Sequence, residues 1–475
     1  MNNLLLKSYI RCKRKAWLEF YVDKSVQTWS AQKSIQMITE YENFNKFTNG
    51  NLYSGYKACE KGFKGVINLK IKDKIYEDID IEIHPHLLIK TKGKSIWGEY
   101  QFIPATSKLG RKTTKEHLID IAFCSISIEK LQKAKIDYGL VISSRKNQIY
   151  TEKIFITQKL KDKAINLFYE LQQSLKENIP NITENRKKCS ICSWQEFCNS
   201  EAKSKGFLTD IDGIGTKTAS LLKNAGIYNI KQLASSNKYK LNKHLSLSKE
   251  NNIEKINKII KQSKSYSTGL PIHLNSKQNL SDLYLRIKNG FFIFDIESNP
   301  DQNHDFLYGF ISIKSIFDNY ENSSYQPILN LKNINNEFHQ SIFQKLNSRK
   351  NWPIIHYGDT EKISIIKLAK TANLTNIEIE RLKVRFIDLH LIIRNSWILP
   401  LKNYGLKTVA NWIGFNWSQR NVSGSKALFW WIQYKNTKEY SFLEKIIKYN
   451  HEDCLATLEI TKWLLANSNN NLKEN

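Results

Sequence analysis

The run Phe291-Phe292-Ile293-Phe294-Asp295-Ile296-Glu297 constrains this chain more than any other segment, because an apolar stretch ends in two carboxylates spaced i, i+2. On a strand that spacing points both acids to one face. Far downstream, Tyr449-Asn450-His451-Glu452-Asp453 sets Tyr449 and Asp453 at i, i+4, on one face of a helix. Between them, Trp352-Pro353-Ile354-Ile355-His356-Tyr357-Gly358-Asp359-Thr360-Glu361 reads as a strand, a turn at Gly358 and a helix. Glu361 then falls in a first helical turn, where a carboxylate opposes the positive end of the dipole. Asp295, Glu297, Glu361 and Asp453 are hard oxygen ligands of the kind that hold Mg²⁺ or Mn²⁺ against a phosphate. Two such ions activate an attacking water and stabilise a leaving oxygen, and Tyr449 is placed to orient that water. The plainer reading of the same acids is that they cap helices and pair with surface lysines.

The 475 residues are too many for one core, so about two to four domains are expected. A net charge of +27 favours a polyanionic partner, DNA or RNA, although a chain rich in Lys, Ile and Asn can carry charge on a solvated surface alone. No apolar run approaches bilayer length, so no membrane partner is expected. The first twenty residues lack the apolar region and cleavage site of a signal peptide, which makes a cytoplasmic location the expectation. Seven cysteines without a secretion signal argue against a disulfide framework.

Along the chain the pattern is that of an α/β multidomain protein. Residues 1–203 read as mixed α/β, with helices at 7–21, 115–133 and 157–176 and strands at 65–72, 86–90, 95–102 and 138–143. Residues 204–281 read as a small all-α unit followed by a polar connector with a helix at 249–262. Residues 282–475 read as an α/β layer domain, with strands at 291–296, 307–313 and 352–356, helices at 360–371, 406–413 and 442–465, and a polar, frayed tail at 467–475.

The last of these resembles the DEDD, or DnaQ-like, 3′–5′ exonucleases of the ribonuclease H-like fold, and more specifically the YprB-type domain. Asp295-x-Glu297 matches the first motif, and His356-Tyr357-Gly358-x-Thr360-Glu361 the second, with Glu361 in place of the usual Asp. Tyr449-x3-Asp453 matches the third in its tyrosine form. Phe386-Ile387-Asp388-Leu389 and Tyr404-Gly405-Leu406-Lys407-Thr408-Val409-Ala410 support the register. The resemblance implies that Asp295 bridges both metals, Glu297 and Asp453 bind one, and Glu361 serves the second directly or through water. Asp359 reads as an N-cap, and Asp388 as a support for the ligands.

Cys189-x2-Cys192-x5-Cys198, with Cys12 as fourth ligand, suits zinc or an iron–sulfur cluster. Residues 1–203 resemble the RecB-like PD-(D/E)xK nucleases, including Cas-type exonucleases of CRISPR adaptation, that staple a first helix to such a triplet with a 4Fe–4S cluster. The resemblance favours iron–sulfur over the alternative, Zn²⁺, and a structural role. The catalytic motifs depart from that family: His86 and Thr106 stand where acids are expected, Lys108 fits, and Asp120-x3-Cys124 replaces Gln-x3-Tyr. A catalytically degenerate domain is implied, the alternative being a shifted site using Glu99, Asp120 or the pair His84 and His86, read as i, i+2 on a strand. Residues 208–219 read as helix, turn and helix, with Gly213 and Gly215 allowing close backbone approach and Lys217 adding charge. They resemble the helix–hairpin–helix of DNA-repair proteins, which grips the backbone rather than reading sequence. Together these features imply a metal-dependent nuclease, most specifically a 3′–5′ exonuclease acting on DNA or RNA. The alternatives are an inactive nucleic-acid-binding scaffold and an active N-terminal nuclease.

Overall fold

The computed structural model describes all residues except 76–78, 109, 111, 146–147, 245–250, 275–279, 318–323, 332–335 and 469–475. The chain divides into two compact units, Met1–Ser204 and Lys205–Asn475.

The first unit is built on β1 (Leu52–Ser54), β2 (Gly65–Ile67), a separate ribbon of β3 (Ile71–Ile75) and β4 (Ile79–Ile83), then β5 (Leu87–Ser95), β6 (Gly98–Ser107), β7 (Tyr138–Arg145) and β8 (Gln148–Phe155). Its six-stranded sheet runs β1-β2-β5-β6-β7-β8. The helices Lys115–Gln132 and Gln158–Lys176 bury apolar faces in the same core, with the rings of Phe123 and Phe168 5.1 Å apart. Three expectations are corrected here. The strand at 65–72 is interrupted because Asn68 adopts a left-handed backbone (φ 53°). The helix at 7–21 is two helices, Asn3–Arg11 and Lys13–Tyr21, broken by an extended Cys12 (φ −164°). His84 and His86 lie in the Pro85 loop between β4 and β5 rather than on a strand.

The second unit holds a five-stranded sheet in the order β12-β11-β10-β13-β14, together with a two-stranded pair of β9 (Ile272–His273) and β15 (Trp397–Ile398). The five strands are β10 (Phe291–Asn299), β11 (His304–Ile313), β12 (Ser324–Leu329), β13 (Ile354–His356) and β14 (Phe386–Asp388). Central β10 pairs antiparallel with β11 and parallel with β13. Its period-2 alternation feeds two cores: Phe291 and Ile293 pack with Ile355 and Ile387, while Phe292 and Phe294 pack with Phe310 and Ile342. A strand buried on both faces needs this continuous apolar run. The helix Thr360–Thr371 follows β13, and the helix Tyr440–Ser468 packs across β10 and β11.

The helical segments beginning at Leu208 share an apolar cluster that includes Leu222, Leu233 and Ile260. Ahead of Gly213 there is only a 3₁₀ turn, Leu208–Asp210, rather than an α-helix. Gly206 (φ 55°) and Gly213 (φ 86°), both in the left-handed region, bracket that turn. The connector helix spans Asn251–Thr268, running past the expected end at 262, while the expected start at 249 lies outside the described residues. Its polar residues Gln262, Ser263 and Ser265 are buried: Gln262 Nε2 donates to the Leu399 carbonyl at 2.6 Å, and Tyr404 Oη donates to Gln262 Oε1 at 2.9 Å. A polar run spent on buried hydrogen bonds looks like a loop when read as sequence.

Gly290, which leads into β10, has φ 103°, and an added Cβ would stand 2.3 Å from the Trp352 ring. Gly226 has φ 83° with nothing within 4 Å. Gly290→Ala is expected to cost about 3 kcal/mol against about 1 kcal/mol for Gly226→Ala, measured as shifts of the urea midpoint.

Candidate functional site

Asp295 and Glu297 leave β10 on the same side, and the pairing with β11 changes register after Glu297 before continuing to Asn299. The helix Tyr440–Ser468 brings Asp453 against them, so that one oxygen from each of Asp295, Glu297 and Asp453 lies within 4.8 Å of the others. Among the described residues no other group of acids, histidines or cysteines converges in this way.

Glu361 is buried in the first turn of the helix Thr360–Thr371, and its charge acts on both Asp295 and Glu297. It is not a member of the convergent trio. Its Oε2 atom is buried without a hydrogen bond among the described residues, 3.7 Å from His356 Nδ1. Asp359 occupies the N-cap position as expected, but its side chain makes no capping bond. Asp388 accepts from the Gly358 amide at 3.0 Å and caps the helix Leu389–Ser396, fixing the turn that leads to Glu361.

Supporting side chains complete the site. Asn450 Nδ2 donates to Asp295 Oδ2 at 2.7 Å, and Tyr325 Oη donates to Asn450 Oδ1 at 2.8 Å. Trp417 Nε1 donates to Asp453 Oδ1 at 2.7 Å. Tyr449 hydrogen-bonds Asp453 and is itself buried. The Lys407 ammonium stands 4.7 Å from the centre of the Tyr449 ring and 5.1 Å from that of Trp417, and donates to the Val422 carbonyl. Gly309, opposite Asp295 in the ladder, leaves the space that Asn450 fills, since a Cβ there would lie 1.7 Å from Asn450 Oδ1.

None of Lys407, Trp417, Tyr325 and Gly309 was singled out for the site by sequence reasoning. Asn450 had a signal, lying one helical turn before Asp453. Lys407 bears only on the register of its motif, and nothing local marks Trp417.

Burial pushes the carboxyls of Asp295 and Glu297 well above the ordinary range, and the neighbouring Asp453 charge adds to it. Burial also raises Asp453, to about 7, against the opposing pull of Lys407, Trp417 and Tyr449. Burial lowers the Lys407 ammonium, although Asp453 and Glu297 draw it back upward. Tyr449 is pushed well up and stays a phenol. Like charges forced together in a dry site suit a divalent cation: the donors are all carboxylate oxygens, and Glu361 offers one more that lacks a partner. Asp295, Glu297 and Asp453 therefore fit a hard metal.

The other sequence-marked residues lie elsewhere. Cys12, Cys189, Cys192 and Cys198 line one cavity of about 670 Å³ as free thiols, but no three of their sulfurs meet the mutual spacing of the acidic trio. Burial raises Cys189, with the other three cysteines contributing. In the first unit His86 lies between two acids, its Nδ1 2.7 Å from Glu40 Oε1 and its Nε2 3.5 Å from Asp120 Oδ2, with Lys7 Nζ 3.1 Å from Nε2. Lys108 Nζ is held 2.6 Å from Glu152, and the buried Thr106 hydroxyl has no partner among the described residues. Glu99 is exposed at the start of β6, and His84 Nε2 pairs with Glu82 at 2.5 Å. Gly213, Gly215 and Lys217 are exposed, and no side chain caps the N-terminus of the helix Thr216–Asn224.

Residues 292–465 match the family model described as RNase_H superfamily. The C-terminal domain is ribonuclease H-like. A ribonuclease H-like domain suggests a metal-dependent nuclease, a phosphodiester hydrolase whose substrate is a nucleic acid, and such enzymes typically use two Mg²⁺ or Mn²⁺ ions. No curated protein matches the chain. Among solved structures, one titled "Crystal structure of SSO0001" shares 12% identity over 42% of this chain and 85% of its own. Its TM-score to this chain is 0.27. No helix among the described residues is long and apolar enough to cross a membrane.

Asp453 yields a pH signature. Its folded value of about 7 lies above the ordinary 3.8, so the folded chain holds the proton more tightly. Stability of the metal-free protein should therefore fall as pH rises from about 4 to about 7, by up to roughly 4 kcal/mol from this group. Urea titrations at pH 5 and pH 8 should show that fall in the native chain and a flatter profile in Asp453→Asn.

Proposed function

We propose that the ribonuclease H-like domain is a 3′–5′ exonuclease hydrolysing DNA or RNA at a centre formed by Asp295, Glu297, Asp453 and Glu361. The observation that carries this reading is the convergence of three carboxylates, Glu297 and Asp453 buried and Asp295 half-buried, whose mutual repulsion a divalent cation relieves. A bound Mg²⁺ or Mn²⁺ pair would supply water activation and stabilisation of the leaving oxygen. Asp295, Glu297 and Asp453 would hold the first ion, and Glu361, outside that trio, would serve the second. Asn450 and Trp417 orient the carboxylates of Asp295 and Asp453, each through one oxygen. Tyr449, kept protonated by burial, donates a hydrogen bond and can turn it from Asp453 to an incoming water. Lys407 contributes positive charge beside the site as phosphate arrives.

The first unit is read as a RecB-like domain that binds nucleic acid without cutting it. In support, Glu40 and Asp120 already face His86 and Lys7, and Lys108 is taken by Glu152, so neither a free acid cluster nor a free lysine remains there. The four cysteines are assigned to a 4Fe–4S cluster. The four thiols line one cavity, and Zn²⁺ is the alternative occupant of the same donor set. The exposed turn at Gly213 and Gly215, with Lys217 beside the uncapped helix N-terminus, suits a backbone phosphate and is read as a helix–hairpin–helix.

Purified protein with Mn²⁺ should shorten end-labelled single strands from the 3′ end, and Asp295→Ala/Asp453→Ala should lower the rate by about a thousandfold or more. Equal digestion by both proteins would sink the reading. Anaerobically purified protein should carry iron, acid-labile sulfide and visible absorbance, all lost in Cys12→Ser; stoichiometric zinc instead would reverse the cluster assignment.

A further inference from the structure

A second cleft lies at the opposite end of the sheet from the acidic centre. It encloses about 820 Å³, within the range of small-ligand sites, and is bordered by the segments that lead into β13 and β14. Phe292, level with Pro353 at its edge, is five residues before Glu297 on β10, about 17 Å along the strand. The cleft is thus a separate place on the domain.

Its charge is one-sided. Arg286, Lys350, Arg381 and Arg385 line it against a single acid, Glu378. The Glu378 carboxylate is turned onto Thr375, accepting from its amide at 2.8 Å and its hydroxyl at 2.7 Å. Arg385 is pinned by the backbone carbonyls of Leu346, Arg349 and Trp352, and Arg286 by that of Val384. These bonds fix two guanidinium groups in place without neutralising them. Lys350 and Arg381 are exposed, and no carboxylate among the described residues lies at ion-pair distance from any of the four. Beneath the charges, Phe343, Leu382 and Pro353 give the cleft an apolar floor.

Unpaired positive charge beside apolar lining suits a phosphate attached to a flat, weakly polar ring. We propose that this cleft is a non-catalytic nucleotide site, in which Lys350 and Arg381 contact the phosphate while the base packs on Phe343 and Leu382. The nucleotide is either free or a unit of a strand, and the two sources are separable. This site stands independently of the acidic centre.

The test is isothermal titration of the full chain in EDTA, which prevents strand hydrolysis, with adenosine monophosphate, adenosine and a single-stranded deoxythymidine octamer. Adenosine monophosphate should bind at least fivefold more tightly than adenosine. Lys350→Glu/Arg381→Glu should weaken at least one phosphorylated ligand fivefold or more. The neutral Lys350→Gln/Arg381→Gln pair should do the same with an unchanged melting curve, which separates lost contacts from lost folding. Loss for adenosine monophosphate alone assigns a free nucleotide; loss for the octamer, alone or with it, assigns a strand. A smaller change for both ligands in both variants overturns the proposal. Strand digestion by Asp295→Ala/Asp453→Ala bears on the acidic centre alone, so the two readings fail separately.

Discussion

Gathering three carboxylates, two of them buried, at the end of a hydrophobic strand is the condition around which the second unit is organised. Asp295 and Glu297 cannot be moved to solvent without also removing Phe291–Phe294 from the two cores that β10 feeds. The long helix Tyr440–Ser468 adds a third like charge rather than a counter-charge. What makes the arrangement tolerable is a ring of neutral donors, Asn450, Trp417 and Tyr449, with one partly desolvated lysine nearby. Each donor satisfies an oxygen without cancelling the charge. A repulsion kept and oriented in this way is a reservoir of cation affinity, because an ion that enters removes a penalty the apo fold already carries.

The first unit resolves a similar problem in the opposite way. Asp120 is also a buried carboxylate and Glu40 a half-buried one, but His86 lies directly against both, with Lys7 beside the His86 ring. Against its burial, Glu40 is held below its usual value, chiefly by the His86 hydrogen bond. The contrast is one of bookkeeping by charge: an acid whose counter-charge is built in has little to gain from an ion, while one flanked by neutral donors gains much.

Sequence reading located the acids, because period-2 and period-4 spacing are local properties of strand and helix. The C-terminal strands and helices were legible for the same reason, and the helix Thr360–Thr371 falls where its apolar spacing put it. What was not legible came from distant residues meeting. Trp417 has no local mark and acquires its role only where a loop passes Asp453. Gly309 reads as a weak point in a strand until Asn450 is seen to occupy its missing side chain. Glu40 sits on a helix far from His86 in sequence, so their pairing has no spacing to reveal it. The break at Cys12 was hidden because nothing in its neighbours disfavours a continuous helix; an extended backbone there is imposed by packing.

The buried bond between Tyr404 and Gln262 has a further consequence. Tyr404 also receives the Tyr357 hydroxyl on its carbonyl at 2.5 Å, next to the Gly358 turn that sets Glu361. Residue 262 of the helical segment and the turn before the fourth acid are therefore joined through a single tyrosine. In heredity this makes the two regions one unit: neither can be exchanged for a foreign counterpart while the other stays, because the exchange strands polar groups inside the protein. Shuffling that respects the apparent border near residue 282 would break what the fold treats as continuous.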